Sequence, residues 1–433
     1  MDIIPVGGYG EIGRNCVVIQ TGDEAVMLDL GLLLDNYIKY TENDDVVDYS
    51  PKILMDIDAV PDLTKISDIR KNIKGICISH AHLDHAGAVP FLASRFNCPV
   101  YGSPFTIEVI KTIARDEKIK LENELIAHKP NSRFFISEHI EIEFIHVTHS
   151  TPHTVIIVVH TPEGDVVYAN DFKFDSAPVL GPKPNYARLK ELTPKLLIID
   201  SLYALSYKKT PSESIAREML KDVLLGTDTE GKRLVATTFS SHIARIKTLV
   251  ELAIKLKRKP VFVGRSLYKY IAAAEACGIV DFTKIERVRY GAQVRKYFKN
   301  LEHPEKYLFI VTGHQGEPKA TLSKMANDAF PFTEGDEVIF SCNVIPTEEN
   351  RENREKLEET LRSKKVRIFR DIHASGHASR EDHRELISML KPEHIIPTHG
   401  NPAMLAGLKD LAIEMGYKES QVHILKNGDR LQL

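Results

Sequence analysis

Short apolar runs bounded by polar residues recur along the first part of the chain and predict strands. Such runs lie at residues 16–19, 25–28, 76–78, 140–147, 166–169 and 196–199. The longest purely aliphatic run covers only residues 155–159, whereas a membrane-spanning helix needs about 20 apolar residues. We therefore expect several buried strands and no membrane span.

The pattern changes beyond residue 207. Helical periodicity at residues 212–225, 243–257 and 268–277 alternates with strand-like runs at 234–238, 261–263 and 308–311. Strands that alternate with helices imply a parallel α/β unit. A further strand at residues 395–398 follows, so the α/β stretch is interpreted as an insertion into another domain.

The glycine-rich stretch at residues 8–13 matches the GxGxxG fingerprint of dinucleotide-binding folds, and Asp29 lies about where a ribose-binding acid is expected. That fingerprint requires a helix after the glycines, but two β-like runs follow. We predict turns between antiparallel strands instead. The polar segment at residues 35–72 is predicted to be a long surface excursion without chemistry.

Composition is that of an ordinary globular protein. The chain has 433 residues, 43% of them hydrophobic and 27% charged, which suits about two or three domains. Its five cysteines form no Cys-x-x-Cys pair, and the N-terminus lacks the basic stretch of a secretory signal. We expect a reducing, cytoplasmic location.

The net charge of −3 is unevenly distributed. Residues 241–300 contain 14 Lys and Arg against 4 acidic residues. Such a segment is either a solvated face or a track for an anionic polymer, and composition alone does not choose between them. If it is a track, Arg245, Lys247 and Arg265 are expected to contribute.

The densest candidate chemistry is a cluster of three imidazoles and a carboxylate at a predicted strand-to-helix turn, formed by His80, His82, Asp84 and His85. A single buried histidine is usually structural, but a whole cluster of this kind indicates a paired-metal centre. From an extended segment, His80 and His82 can face one metal. Beyond the turn, Asp84 and His85 can reach a second.

Further potential ligands follow other predicted strands: His149, Asp171 and His399 each stand just past a strand end. Strands that present N and O ligands at one rim can assemble a site from distant parts of a sequence. His146 and His153 are less favoured neighbours. Two more acids end strands, Asp29 and Asp200; Asp29 is either a turn residue or a carboxylate that fixes a ligand imidazole.

One polar turn is a candidate for anion binding. Residues 240–242 lie at a strand-to-helix turn where free N–H groups would bind an anion, although helix capping explains Ser241 equally well. Residues 312–317 end another strand and could line the same cleft as this turn. Residues 373–378, in the last segment, are small and polar and are interpreted with the site chemistry.

The motif His80-x-His82-x-Asp84-His85, with His149, Asp171 and His399, resembles the metallo-β-lactamase superfamily. The α/β insertion and the stretches at residues 376–378 and 398–400 resemble its β-CASP nucleases. The stretches at residues 7–15, 237–241, 264–266 and 313–318 are similar to the ribonuclease J family. The resemblance runs nearly end to end and is closest to archaeal forms, since the chain stops soon after His399. His314 replaces a serine of bacterial members, which is expected to alter cleft contacts.

The resemblance implies an α/β fold, an αββα metallo-β-lactamase sandwich with an inserted parallel α/β β-CASP domain. The sandwich would comprise residues 1–203 and 367–433, and the insertion residues 204–366. His80, His82 and His149 would hold one divalent metal, Asp84, His85 and His399 a second, and Asp171 would bridge them. Asp29 and Asp200 would support these ligands. An N/O donor set suits Zn²⁺ and allows Mn²⁺.

The resemblance also implies a ribonuclease that acts mainly as a 5′-to-3′ exonuclease in RNA decay, with endonuclease activity a further option. His377 and Asp84 would be catalytic, and Ser241, Ser375, Gly376, His377 and Ala378 would contact phosphates of single-stranded RNA. A 5′-monophosphate preference and a homodimer are further expectations. The alternatives are a DNA-directed β-CASP nuclease, a small-ester metallohydrolase, and a metal-stabilised RNA-binding protein without catalysis.

Overall fold

The structure, a computed structural model, describes residues 1–43, 50–289, 291–345 and 348–433. The chain divides into two compact units. The first unit comprises Met1–Ser176, Pro182–Thr210 and Gly376–Leu433, and the second comprises Ala177–Gly181 and Pro211–Ser375. The domain boundaries expected after residues 203 and 366 remain predictions.

Two sheets form the centre of the first unit. Elements are numbered along the whole chain, and the strands of this unit are β1 (Asp2–Gly7), β2 (Cys16–Thr21), β3 (Glu24–Leu28), β4 (Ile73–Ile78), β5 (Val100–Gly102), β6 (Leu125–Ala127), β7 (Ser132–Phe135), β8 (Glu141–His146), β9 (Val155–Thr161), β10 (Gly164–Ala169), β11 (Leu196–Asp200), β18 (His394–Thr398) and β19 (Leu431–Gln432). Within the described residues one sheet has the order β19-β1-β2-β3-β4-β5-β6, and the other β18-β11-β10-β9-β8-β7.

Helices cover the outer face of each sheet. They are α1 (Leu34–Asn43), α2 (Pro51–Asp56), α3 (Leu83–Ala86), α4 (Val89–Leu92), α5 (Pro104–Asp116), α6 (Tyr186–Glu191), α13 (Arg380–Leu390) and α14 (Pro402–Glu414). None of the helices in the described parts of the chain combines the length and apolar character needed to cross a bilayer.

Alternation along the strands explains why both sheets are buried on two faces. On β2, Val17 and Ile19 join the core between the sheets, while Val18 faces the outer core under the helices. On β9, Ile157 faces the inner core and Val158 the outer core of the second sheet. The resulting helix–sheet–sheet–helix layering confirms the predicted αββα sandwich.

The second unit is built on a parallel sheet. Its strands are β12 (Leu234–Thr237), β13 (Lys259–Val263), β14 (Glu286–Val288), β15 (Tyr307–Val311), β16 (Glu337–Phe340) and β17 (Arg367–Phe369), in the order β14-β13-β15-β12-β16-β17. Its helices are α7 (Glu213–Gly226), α8 (Ile243–Lys255), α9 (Arg265–Ala276), α10 (Gly291–Lys299), α11 (Thr321–Lys324) and α12 (Glu348–Ser363). The strand pairs of this sheet are parallel, which confirms the expected α/β unit.

The glycine-rich stretch lies between β1 and β2, which pair antiparallel, so the turn interpretation is correct and the dinucleotide fingerprint is not. The surface excursion expected at residues 35–72 is wrong in part. It contains α1 and α2, and Leu54, Ile66 and Ile69 are buried in the core. These apolar residues are spaced by short helical turns rather than by one long period, so the sequence pattern hid them. Residues 44–49 lie outside the described residues.

Candidate metal centre

Parallel pairing brings three strand ends of the second sheet to one edge. β11 pairs parallel with both β10 and β18, and Ala169 is opposite Ile199 while Asp200 is opposite Thr398. The residues that follow β10 and β18 therefore emerge beside the end of β11. This register accounts for the proximity of Asp171 and His399, which are separated by more than two hundred residues in the sequence.

The His80–His85 turn is held by backbone hydrogen bonds from Asn15, just before β2, and from the segment between β3 and α1. The N–H groups of Asn15, Leu30 and Leu32 donate to the carbonyl oxygens of Asp84, His85 and Leu83, at 2.8–2.9 Å. Gly31 lies against this turn, and a Cβ there would be 1.7 Å from the carbonyl oxygen of Asp84. Only glycine allows so close an approach, which is needed to place the ligands after β4.

Three ring nitrogens converge at one side of the site. His80 Nε2 and His149 Nε2 each lie 3.1 Å from His82 Nδ1. Asp171 Oδ2 is 3.4 Å from His80 Nε2 and 3.5 Å from His149 Nε2. These four side chains offer ligand atoms that all lie within 4.8 Å of one another.

A second group lies at the other side of Asp171. It consists of Asp84, His85 and His399, whose ligand atoms also lie within 4.8 Å of one another. The Nε2 atoms of His85 and His399 are 3.6 and 3.7 Å from Asp84 Oδ2. Asp171 approaches this group as well, with Oδ2 3.5 Å from His85 Nε2 and Oδ1 3.6 Å from His399 Nε2. The structure thus brings all seven predicted ligands together, with Asp171 between the two groups.

Hydrogen bonds on the far side of the imidazoles orient them. Asp29 is fully buried, and its Oδ2 accepts from His85 Nδ1 at 2.8 Å. His149 Nδ1 donates to the carbonyl oxygen of Gly376 at 2.7 Å. Each of these bonds places a proton on Nδ1, so Nε2 is the nitrogen that faces the cluster and would bind a cation.

Burial and local charge set the protonation of the cluster. Burial, reinforced by neighbouring imidazoles, holds the pKa of His82 and of His149 well below the usual value, so both rings are neutral at pH 7. At His85 the carboxylates of Asp171, Asp84 and Asp29 outweigh burial and raise the pKa well above its usual value. In Asp171, His377, His85 and His399 outweigh burial and hold the pKa well below the ordinary range. A cation bound at His85 would therefore displace a proton.

The arrangement fits two divalent cations. Both carboxylate oxygens of Asp171 are buried and, within the described residues, have no hydrogen-bond partner. A buried carboxylate without donors is costly unless a cation compensates it. Neutral imidazoles and carboxylates are the donors that Zn²⁺ accepts and Mn²⁺ tolerates.

His377 stands beside this cluster with an exposed portion. Its Nδ1 is 3.6 Å from Asp171 Oδ2, and its side chain is 20% exposed. Asp200, fully buried at the end of β11, offers a carboxylate oxygen that lies within 4.8 Å of ligand atoms of both Asp171 and His377. Because its side chain is partly exposed, the His377 imidazole can contact a molecule that arrives from solvent.

Sequence reasoning missed Asn15. Its amide nitrogen is 3.1 Å from both His85 Nε2 and His399 Nδ1, and it donates to the carbonyl oxygen of Asp84 at 3.2 Å. The only signal was its position at the end of the stretch at residues 7–15, just after the glycines. His146 belongs to neither group, and its Nε2 lies 3.1 Å from the carbonyl oxygen of Pro182.

The residues expected to contact phosphates have mixed surroundings. Ala378 is fully buried in the outer core, so only its backbone could meet a phosphate. Gly376 packs against His149, where a Cβ would lie 3.1 Å from Nδ1. In the second unit Ser241 is buried and Ser375 half-buried. Their contacts with RNA remain predictions.

One expectation about the basic segment is wrong. Arg245 is fully buried, and its guanidinium donates to Glu213 Oε2 at 2.8 Å and to the carbonyl oxygen of Ser341 at 2.9 Å. It is a structural ion pair of the second unit rather than a surface cation. Lys247 lies 3.1 Å from Glu251, whereas Arg265 is exposed.

Comparison with known proteins identifies the families that this chain resembles. Three family models match: "Metallo-beta-lactamase superfamily" over residues 9–206, "Ribonuclease J, beta-CASP domain" over residues 231–357, and "Zn-dependent metallo-hydrolase RNA specificity domain" over residues 364–425. The fold and site thus define a metallo-β-lactamase-type hydrolase with a β-CASP domain.

Similar proteins narrow the class further. The chain is 41% identical to Ribonuclease J of Methanocaldococcus jannaschii, over 100% of this chain and 98% of that protein. It is 42% identical to Ribonuclease J of Pyrococcus abyssi, over 100% and 97%. A solved structure of a protein of unknown function from Enterococcus faecalis V583 shares the fold, with a TM-score of 0.67, 17% identity and coverage of 100% and 99%. The chain belongs to the ribonuclease J family.

Proposed function

We propose that this protein hydrolyses phosphodiester bonds of single-stranded RNA with two bound divalent metals, mainly as a 5′-to-3′ exonuclease. The observation that carries the proposal is the convergence of six other N and O ligands around Asp171, in two groups on either side of its carboxylate. Family membership supports the nuclease class, and the RNA specificity model supports RNA over DNA. The direction of attack is supported by the resemblance alone.

The residues divide the work between cation binding and proton transfer. His80, His82 and His149 would hold one cation, Asp84, His85 and His399 the other, and Asp171 both. When bound, such a pair supplies Lewis-acid activation of water and neutralises charge on the phosphate. The choice of Zn²⁺ rests on the imidazole-rich donor set.

His377 acts on the substrate itself. Its partly exposed imidazole lies next to the cluster without belonging to either ligand group that we assign. From there its ring can hydrogen-bond a phosphoryl oxygen or give a proton to the leaving 3′ oxygen. Asp84 would bind the second cation and also orient the imidazoles of His85 and His399. Contacts of Ser241, Ser375 and the backbone at residues 376–378 with RNA phosphates belong to the same proposal.

A cytoplasmic location is part of the proposal, because the five cysteines are free thiols and four of them are buried. A preference for 5′-monophosphate ends and a homodimer are proposed on the resemblance alone.

The test uses one RNA sequence labelled at either end, with 5′-triphosphate, 5′-monophosphate and 5′-hydroxyl forms compared. We expect mononucleotides released from a 5′ label first, fastest with the monophosphate form. Release from the 3′ label first would overturn the direction. DNA of the same sequence and a small aryl ester serve as controls, and equal turnover of either would favour the DNA-directed or ester-hydrolysing alternative.

A further inference from the structure

His383 is fully buried on α13. Its Nε2 is 3.5 Å from Asp200 Oδ1. Within the described residues neither ring nitrogen of His383 has a hydrogen-bond partner, so the Asp200 carboxylate is the polar group that the ring approaches. The ring also packs edge-on against Phe172, the residue after Asp171, with centroids 6.0 Å apart.

Asp200 is incompletely satisfied without such a neighbour. Its Oδ1 accepts one hydrogen bond, from the N–H of Leu202 at 3.0 Å, and its buried Oδ2 has no partner in the described parts of the chain. The carboxylate also lies close to that of Asp171. Two buried carboxylates repel each other, so a ring N–H that faces the Asp200 carboxylate lowers the electrostatic cost of holding it near Asp171.

The first turn of α13, which carries His383, also holds the backbone of His377. Ser379 caps the helix, and Asp382 Oδ2 accepts from the N–H groups of Ser379 and Thr210, at 3.0 and 2.8 Å. Thr210 Oγ1 in turn donates to the carbonyl oxygen of His377 at 2.8 Å. The backbone of His377 and the ring of His383 are therefore held by the same rigid turn.

We propose that His383 is a positioning residue, which through Asp200 keeps the His377 imidazole oriented towards the phosphate. The inference rests on the proposed function of His377 and extends it by one residue. The row runs from His377 at the solvent side, through Asp200 at the end of β11, to His383 in the core. Partners at this distance from the chemistry typically change activity by about 10–100-fold when removed.

Two substitutions separate the polar contact with Asp200 from packing. His383→Gln places an amide N–H near the position of Nε2, whereas His383→Leu fills the space without a donor. In single-turnover RNA hydrolysis at saturating enzyme, we expect His383→Leu to be about tenfold slower or more, with unchanged multiple-turnover KM and metal content. His383→Gln should recover most of that rate. Leu386→Ala, which removes a core side chain from the same helix, controls for lost stability.

The double variant with Asp200→Asn tests the route. If His383 acts through Asp200, adding His383→Leu to Asp200→Asn should slow hydrolysis no further. Additive losses, equal losses in the Gln and Leu variants, a rate like wild type in the Leu variant, or loss of metal from it would each overturn the proposal.

A second measurement does not depend on turnover. Histidine ¹⁵N–¹H spectra of the metal-free protein should show a protected ring N–H signal that His383→Leu removes and Asp200→Asn shifts. An inactive wild-type protein with this signal intact would refute the proposed function but not the contact. An active wild-type protein without the signal would refute the contact alone.

Discussion

Replacing Asp29 by Asn should weaken the metal site without changing a ligand. Asp29 Oδ1 accepts from the N–H of Ser79 at 2.7 Å, and Oδ2 accepts from Ser79 Oγ, Tyr168 Oη and His85 Nδ1, each at 2.8 Å. Every partner is therefore a donor. An asparagine amide presents an NH₂ group in place of one oxygen, so at least one donor must find itself opposite another donor.

The consequence falls on the His85 tautomer. Hydroxyl groups of Ser79 and Tyr168 can rotate to accept from an NH₂ group, but a ring N–H cannot. His85 then avoids the clash only by moving its proton to Nε2, the atom that faces Asp84 and Asp171. A protonated Nε2 has no lone pair for a cation. We expect affinity at the second group to fall about 10–100-fold, or about 1.4–2.8 kcal/mol.

The assay is competition between metal-free protein and a chromophoric chelator for Zn²⁺. Tyr168→Phe is the matched control, because it removes one donor from the same oxygen and leaves His85 untouched. That control should lose about 1 kcal/mol of unfolding free energy and no metal affinity. An Asp29→Asn protein that binds its second metal as tightly as wild type would refute the tautomer argument.

Three further outcomes are expected. Reversing the charge of Arg265, which is exposed, should reduce the slope of RNA affinity against salt by about one unit or slightly less. As a control, Arg245→Met should lower stability and leave the slope unchanged, because Arg245 is paired with Glu213. Equal slopes for wild type and the Arg265 variant would exclude a contact between Arg265 and RNA. Burial lowers the pKa of His160, but Asp165 and Glu143 outweigh it and raise the pKa to about 9. The protonated ring therefore stabilises the fold fully below pH 6.5, and this stabilisation is lost as pH rises through 9. Denaturation from pH 6 to 10 should show this loss in wild type and much less of it in His160→Gln. His377→Ala should slow hydrolysis at least about a hundredfold with metal content intact, as elemental analysis can check, and loss of metal would make it a ligand.

Much of the fold was predictable because each pattern reports a local environment. The run at residues 155–159 predicts a strand buried on two faces, and β9 has one face in each of two cores. Alternating strands and helices beyond residue 207 predict the parallel sheet of the second unit. The buried helical turns within residues 35–72 were missed because their apolar residues do not repeat with one period.

The candidate site was predictable as a set of residues but not as a network. Histidines and carboxylates after strand ends identify which side chains can converge, since parallel strands end at one edge. Nothing in a linear sequence shows that the Asn15 amide lies 3.1 Å from two imidazoles, or that Arg245 forms a buried ion pair with Glu213. Such pairings depend on tertiary packing between segments far apart in the chain.

The most direct test of the two-metal centre is to titrate metal-free protein with metal and to measure hydrolysis of a 5′-labelled RNA at each step. Because Asp171 lies between two complete ligand groups, activity should rise steeply as the second equivalent of Zn²⁺ or Mn²⁺ per chain is added. Asp171→Ala should fold, as judged by thermal unfolding, and remain inactive at any metal level. Full RNA hydrolysis with one equivalent or none, or by the Asp171→Ala protein, would contradict the two-metal assignment.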